Sequence, residues 1–148
     1  MRDKRFVAIH RGGPLSREEH SQLIKWAHAC VCHVLPLFPG DGDGCLKDVL
    51  NIAKAWENEQ ASVGEARNAS LQAIAVANES SDPVSIAIAR AVGHAVATAH
   101  MADHSLRAAE YVLKAIKAAG KSIEEERKWQ DEHLPLEVME LVLSARYG

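Results

Sequence analysis

Ser81-Asp82-Pro83-Val84-Ser85-Ile86-Ala87-Ile88-Ala89-Arg90-Ala91-Val92-Gly93-His94-Ala95-Val96-Ala97-Thr98-Ala99-His100-Met101-Ala102-Asp103-His104-Ser105-Leu106 sets the architecture of the whole chain. It opens with a polar N-cap followed by proline at the first helical position, where a missing N–H costs nothing and φ is already helical. An Ala- and Val-rich helix follows, expected to run to about Met101. An unbroken helix to Ala119 would be unusually long, so a break is expected near residues 102–105. Asp103 or Ser105 then caps a further helix carrying Leu106, Ala109, Val112, Leu113 and Ile116, and Gly120 ends it as a C′ glycine.

The same grammar extends in both directions. Upstream, Ser62-Val63-Gly64-Glu65 is a capping box opening a helix to about Asn78, with Ala66, Ala69, Ala73, Ile74 and Ala77 as its apolar face. Before it, a helix from about Leu46 to Glu59 turns Val49, Leu50, Ala53 and Trp56 inward. Residues 39–45 read as a flexible Gly/Asp loop. Ser16-Arg17-Glu18-Glu19 is another capping box, followed by Leu23, Trp26, Ala27, Cys30, Val31 and Val34 at helical spacing until Pro36 and Pro39 stop the run. Residues 1–15 read as an irregular N-terminal arm, with Phe6-Val7-Ala8-Ile9 extended and Gly12-Gly13-Pro14 turning. Downstream, Ser122-Ile123-Glu124-Glu125 opens a helix through Trp129, and Pro135 separates it from a last helix, Leu136 to about Ala145, with Val138, Leu141 and Val142 inward. The expectation is an all-α protein: one domain over residues 1–148, six or seven helices packed as antiparallel α-hairpins.

Composition agrees. Of 24 alanines, 20 lie between Ala53 and Ala119, which favours helices whose axes approach closely. Aromatics are only 5% of the chain, which argues against a large β-sandwich. The 148 residues suffice for one sizeable core, and a net charge of −3 offers no electrostatic case for nucleic acid. No apolar run approaches a membrane span of roughly 20 residues, and no apolar signal region follows the charged start. Three cysteines argue against a disulfide framework, so a reducing cytoplasm is the expected compartment.

The candidate site lies in the opening segment. His100 and His104, four residues apart, share a face if the helix continues, and two such histidines are candidate zinc ligands. No glutamate follows the first, as the zinc-protease pattern requires; Asp103 is a candidate third ligand or orienting group. On a straight helix His94 lies about 80° from His104 and about 120° from His100. It falls instead in a polar row with Arg90 and Thr98. The competing reading is structural: packed histidines, with Asp103 as an N-cap. Cys30, Cys32 and His33 resemble metal ligands, but Cys-x-Cys on a helix points its thiols about 200° apart. Cys30 therefore reads as a small core residue. Cys45 reads as a loop residue. Trp26, Trp56 and Trp129 sit in apolar rows and read as core. The expected metal and cofactor content is none.

Three sets of residues carry a family resemblance. The first is Asp3-Lys4-Arg5-Phe6-Val7 with Arg11-Gly12-Gly13, Lys25-Trp26-Ala27 and Val34-Leu35-Pro36-Leu37-Phe38. The second is Ala53-Lys54-Ala55-Trp56 with Gly64-Glu65-Ala66-Arg67. The third and most specific runs from Ala89 to Leu106, followed by Ala108-Ala109. Together they resemble the immunity-protein-five-like proteins of bacterial polymorphic toxin systems, and the likeness continues through Glu126-Arg127-Lys128-Trp129-Gln130 and Leu134-Pro135. Cys30 and the Gly/Asp loop look particular to this chain. The resemblance implies an all-α cytoplasmic protein that neutralises a cognate protein toxin by binding it, without enzymatic activity. Arg90, His94, Thr98, His100, Asp103 and His104 are the candidate partner- or ligand-binding residues. A second class of function stands beside this one: a His/Asp pocket holding a metal or small ligand, with enzymatic activity as one possibility. Monomer and homodimer are both open at this level.

Overall fold

The computed structural model describes residues 3–39 and 43–148, and among these it forms seven α-helices. They are α1 (Arg17–Val34), α2 (Gly44–Glu57), α3 (Val63–Glu79), α4 (Pro83–Ala97), α5 (His104–Ala118), α6 (Ile123–Glu132) and α7 (Leu136–Tyr147). The all-α expectation holds, with seven helices and no strand among the described residues.

Local side chains close the helix starts. Ser16 Oγ accepts from the Glu19 N–H at 3.0 Å while Glu19 accepts from the Ser16 N–H at 2.9 Å. Ser62 and Glu65 form the same reciprocal box. Asp82 accepts from the Ser85 N–H at 2.9 Å, with Pro83 next to it in the first turn of α4. At α6 the bond is one-way: Ser122 Oγ accepts from the Glu125 N–H. Each such cap satisfies an N–H that the helix leaves without a partner, typically worth about 1 kcal/mol.

Helix α4 is the central element. It packs against α3 and α5 most extensively and also against α1 and α2. Alanine makes this possible: Ala87, Ala89, Ala91 and Ala95 are all buried on it. At Gly93 an added Cβ would stand 3.5 Å from the Ala73 Cβ and 3.7 Å from the Ser70 carbonyl oxygen. The α3–α4 interface is therefore built from nearly bare backbone on both sides. Larger side chains from the flanking helices (Leu23, Trp26, Val31, Leu46, Val49, Val112 and Val138) complete one continuous core.

Several expectations are corrected. The N-terminal arm is extended only at Val7 and Ala8, where Ala8 bridges Leu15; Phe6 and Ile9 instead belong to the 3-10 turns Lys4–Phe6 and Ile9–Arg11, and Phe6, Ala8 and Leu15 are buried. Residues 40–42 of the Gly/Asp loop lie outside the described residues, whereas Gly44 and Cys45 belong to the first turn of α2 rather than to a loop. The fourth helix ends at Ala97, not Met101. Ile74 is not on the buried face of α3 but 45% exposed, because its neighbour Ala73 takes the contact with α4. Trp129 is only partly buried, stacked between His33 at 3.7 Å and His133 at 3.9 Å between ring centroids.

Two backbone details make measurable predictions. Helix α5 ends in a Schellman motif: Gly120 has φ 75°, its N–H reaches the Lys117 carbonyl, and the Lys121 N–H reaches that of Ile116. Helix α2 ends the same way, with Glu59 N–H to Trp56 and Gln60 N–H to Ala55, but there the left-handed position holds a glutamate at φ 62°. A Cβ at that angle is strained. Glu59→Gly is expected to stabilise the protein by about 1 kcal/mol, read as an upward shift of the urea midpoint with unchanged slope. At Gly13, a Cβ would lie 2.2 Å from the Val7 carbonyl oxygen, inside the arm that docks Phe6 and Leu15. Gly13→Ala is expected to cost about 1 kcal/mol and to raise amide exchange in residues 4–15. Unchanged exchange there would contradict this account.

Candidate functional site

The polar chemistry of α4 gathers where the helix stops. Thr98 caps its end, with Oγ1 donating to the His94 carbonyl at 3.0 Å. The backbone then turns through residues 98–103, with His100 and Met101 N–H groups both returning to the Ala97 carbonyl, and α5 begins at His104. Ser105, fully buried, donates to the Ala102 carbonyl at 2.7 Å and fixes the turn from inside.

This turn changes which histidines meet. On one continuous helix His94 and His104 would be about 15 Å apart along the axis. In the fold their Nδ1 atoms are 2.8 Å apart and their rings 5.0 Å between centroids. His94 also stacks on Tyr111 of α5 at 5.2 Å between ring centroids. The His100–His104 pairing expected from i, i+4 spacing is replaced, because the backbone between them is not helical. His100 instead meets Arg67 of α3, whose guanidinium donates to His100 Nδ1 at 3.0 Å, and Arg11 of the N-terminal arm approaches the same nitrogen at 3.5 Å.

These groups surround a pocket of about 230 Å³ between α3, α4 and the start of α5. Its walls are Ser70 and Ile74 from α3 with Gly93 and Ala97 from α4. Its charged and titratable lining is Arg67, Arg90, His94, His100 and His104, all of them basic residue types. Among the described residues, none of Arg11, Arg67 and Arg90 forms an ion pair with a carboxylate. Partial burial, then the neighbouring His104, Arg107 and Arg90, push the His94 imidazole down to about 4. A neutral His94 suits the short Nδ1···Nδ1 contact, since one of the two nitrogens must accept.

Of the six residues singled out from sequence, Arg90, His94, His100 and His104 line this pocket. Thr98 is not on a surface: it is 0% exposed, and its carbonyl accepts from His20 Nε2 at 2.5 Å. It holds the end of α4 against α1. Asp103 occupies the N-cap position of α5 without a side-chain capping bond there, and is not among the pocket-lining residues. Sequence reasoning missed Arg67, Ile74 and Gly93. Arg67 and Gly93 were noticed only within the runs that carry the family resemblance, and Ile74 only as an apolar-face residue; nothing local places Arg67 beside a histidine 33 positions away.

Among the described residues, no group of three or more His, Cys, Asp or Glu is arranged to hold a metal ion. Cys30 is buried and its thiol is pushed up by desolvation. Cys32 is exposed, with Sγ 3.6 Å from His28 Nδ1. His33 points away from both, pairing with the Glu126 carboxylate at 2.7 Å. No described helix is long and apolar enough to cross a membrane.

No curated protein and no solved structure matches the chain. One family model does, over residues 13–137; its description is "Imm-5 like putative immunity protein".

Proposed function

Because the chain belongs to this Imm-5-like family, whose match spans all but the two ends, we propose that it is an immunity protein. It binds a cognate bacterial toxin in the cytoplasm and blocks it by occupancy rather than by catalysis. Family membership is the observation that carries the reading. The pocket between α3, α4 and α5 supports it as a recognition site: Arg67 and Arg90 present guanidinium groups at its rim, and Ile74 together with Leu71, 59% exposed, supplies apolar surface beside it. Arginine next to accessible apolar side chains is the composition that anchors protein partners.

Co-expression with each toxin encoded beside the gene tests the proposal. The expected result is restored growth with one neighbouring toxin and a stable complex on size exclusion. Unchanged killing by every neighbouring toxin would refute it. Charge reversal at Arg67 and Arg90 together is expected to abolish protection while leaving the helical circular dichroism unchanged, since both side chains are exposed.

A further inference from the structure

We propose that the α3–α4–α5 pocket receives a carboxylate borne on a compact apolar body. The inference deepens the recognition reading and rests on it only for where the carboxylate comes from.

Three observations lead to an anion. The protein carries a net charge of −3, yet the pocket's charged and titratable lining is wholly basic. Arg67 and Arg11 crowd two cations against one imidazole nitrogen, His100 Nδ1. Neither guanidinium has a carboxylate partner among the described residues. Holding like charges together without an anion is unfavourable, and a carboxylate entering beside Arg67 and Arg90 relieves it while accepting forked N–H donors.

The walls specify the rest of the ligand. Ile74, Ala97 and the bare backbone at Gly93 are apolar and the Ser70 hydroxyl is already donated to the Arg67 carbonyl, so away from the basic groups the walls offer a strongly hydrated anion no donor to replace its water. At about 230 Å³ the cavity is below the roughly 300–1,000 Å³ of drug-sized sites, so it suits one side chain or one small molecule. A polynucleotide fits poorly. The basic groups ring a single cavity rather than tracking a backbone, and the rings that line it are imidazoles, of which His94 and His104 are already stacked on each other.

Two sources supply this chemistry: a free small carboxylate, or an acidic side chain or C-terminus presented by the partner. The first arm of the test needs no partner. The full chain, with its histidine rings resolved by NMR, is titrated at constant ionic strength with benzoate, its neutral isostere benzamide, and inorganic phosphate. Benzoate is expected to shift the His94, His100 and His104 signals saturably, with benzamide and phosphate much weaker. Arg67→Gln and Arg90→Gln are each expected to weaken benzoate about tenfold, the loss of one charge-assisted bond. Equal responses to benzoate and benzamide, equal responses to benzoate and phosphate, or unchanged affinity in both variants would overturn the proposal. The second arm uses the co-expressed toxin. Displacement of the toxin by benzoate assigns the carboxylate to the partner, and a ternary complex assigns it to a free small molecule. Benzoate binding with no protective activity would remove the immunity reading alone; protection without benzoate binding would remove the pocket chemistry alone.

Discussion

Gln130→Leu is expected to cost the fold about 3–4 kcal/mol, although it replaces a polar side chain in the core with an apolar one of similar size. Gln130 is fully buried in α6. Its Nε2 donates to the Ala109 carbonyl of α5 at 3.1 Å, and its Oε1 accepts from Arg146 Nη2 of α7 at 2.7 Å. Its own carbonyl accepts from Trp26 Nε1 of α1 at 2.9 Å. Arg146 has a side chain only 5% exposed and is completed by Asp131 at 3.1 Å, which also accepts from the Tyr147 hydroxyl. One amide thus joins three helices through its side chain and a fourth through its backbone. Leucine leaves a buried guanidinium N–H without its acceptor and the buried Ala109 carbonyl without its donor, and hydrophobic gain does not repay two buried polar groups left unpaired. A fall in Tm of about 10 °C is the thermal equivalent. Gln130→Glu keeps the acceptor for Arg146 and is expected to lose less. Urea unfolding of the three proteins checks both statements; a loss under about 1 kcal/mol for Gln130→Leu would show that the network is not cooperative.

Acidification provides the second large effect. Stability is expected to fall as pH drops from about 6.5 to about 4, with about 2 kcal/mol of the loss due to His94. The unfolded imidazole binds its proton near 6.5, whereas in the fold His94 stays neutral down to about 4. Across that window the unfolded state holds more protons, so protons favour unfolding; above it the full stability is present. His94 remains partly exposed, and solvent screening keeps the effect below what full burial would give. His20 acts with the same sign. Burial disfavours its charged form while its Nε2–H donates to the Thr98 carbonyl. Urea midpoints across this range check the prediction. His94→Asn should flatten the pH dependence, and a wild-type midpoint that does not move would refute the assignment.

How much of this was legible beforehand differs by element. Ser16, Ser62 and Asp82 cap helices because their partners lie three residues on, so the bonds are written in the chain itself. Alanine density announced close helix packing, and Gly93 against Ala73 is where it occurs. Ile74 misled because helical spacing gives a face but not its edge. Its neighbour Ala73 takes the contact with α4, leaving Ile74 to line the pocket. The histidines misled because the length of α4 was overestimated by about one turn: stopping at Ala97 exchanges His100 for His94 as the partner of His104.

What the amino-acid sequence determined unaided is the set of helices, since four of the seven, α1, α3, α4 and α6, start at a side-chain cap whose partner lies three residues on. Four of the pocket's basic groups, Arg90, His94, His100 and His104, were also visible in it as chemistry without geometry. The tertiary structure alone decided that the turn after Ala97 sets His104 of α5 against His94 of α4, that Arg67 arrives from α3, and that these side chains enclose one cavity. Those arrangements depend on the fit between helices distant in the chain, and local spacing carries no information about that fit.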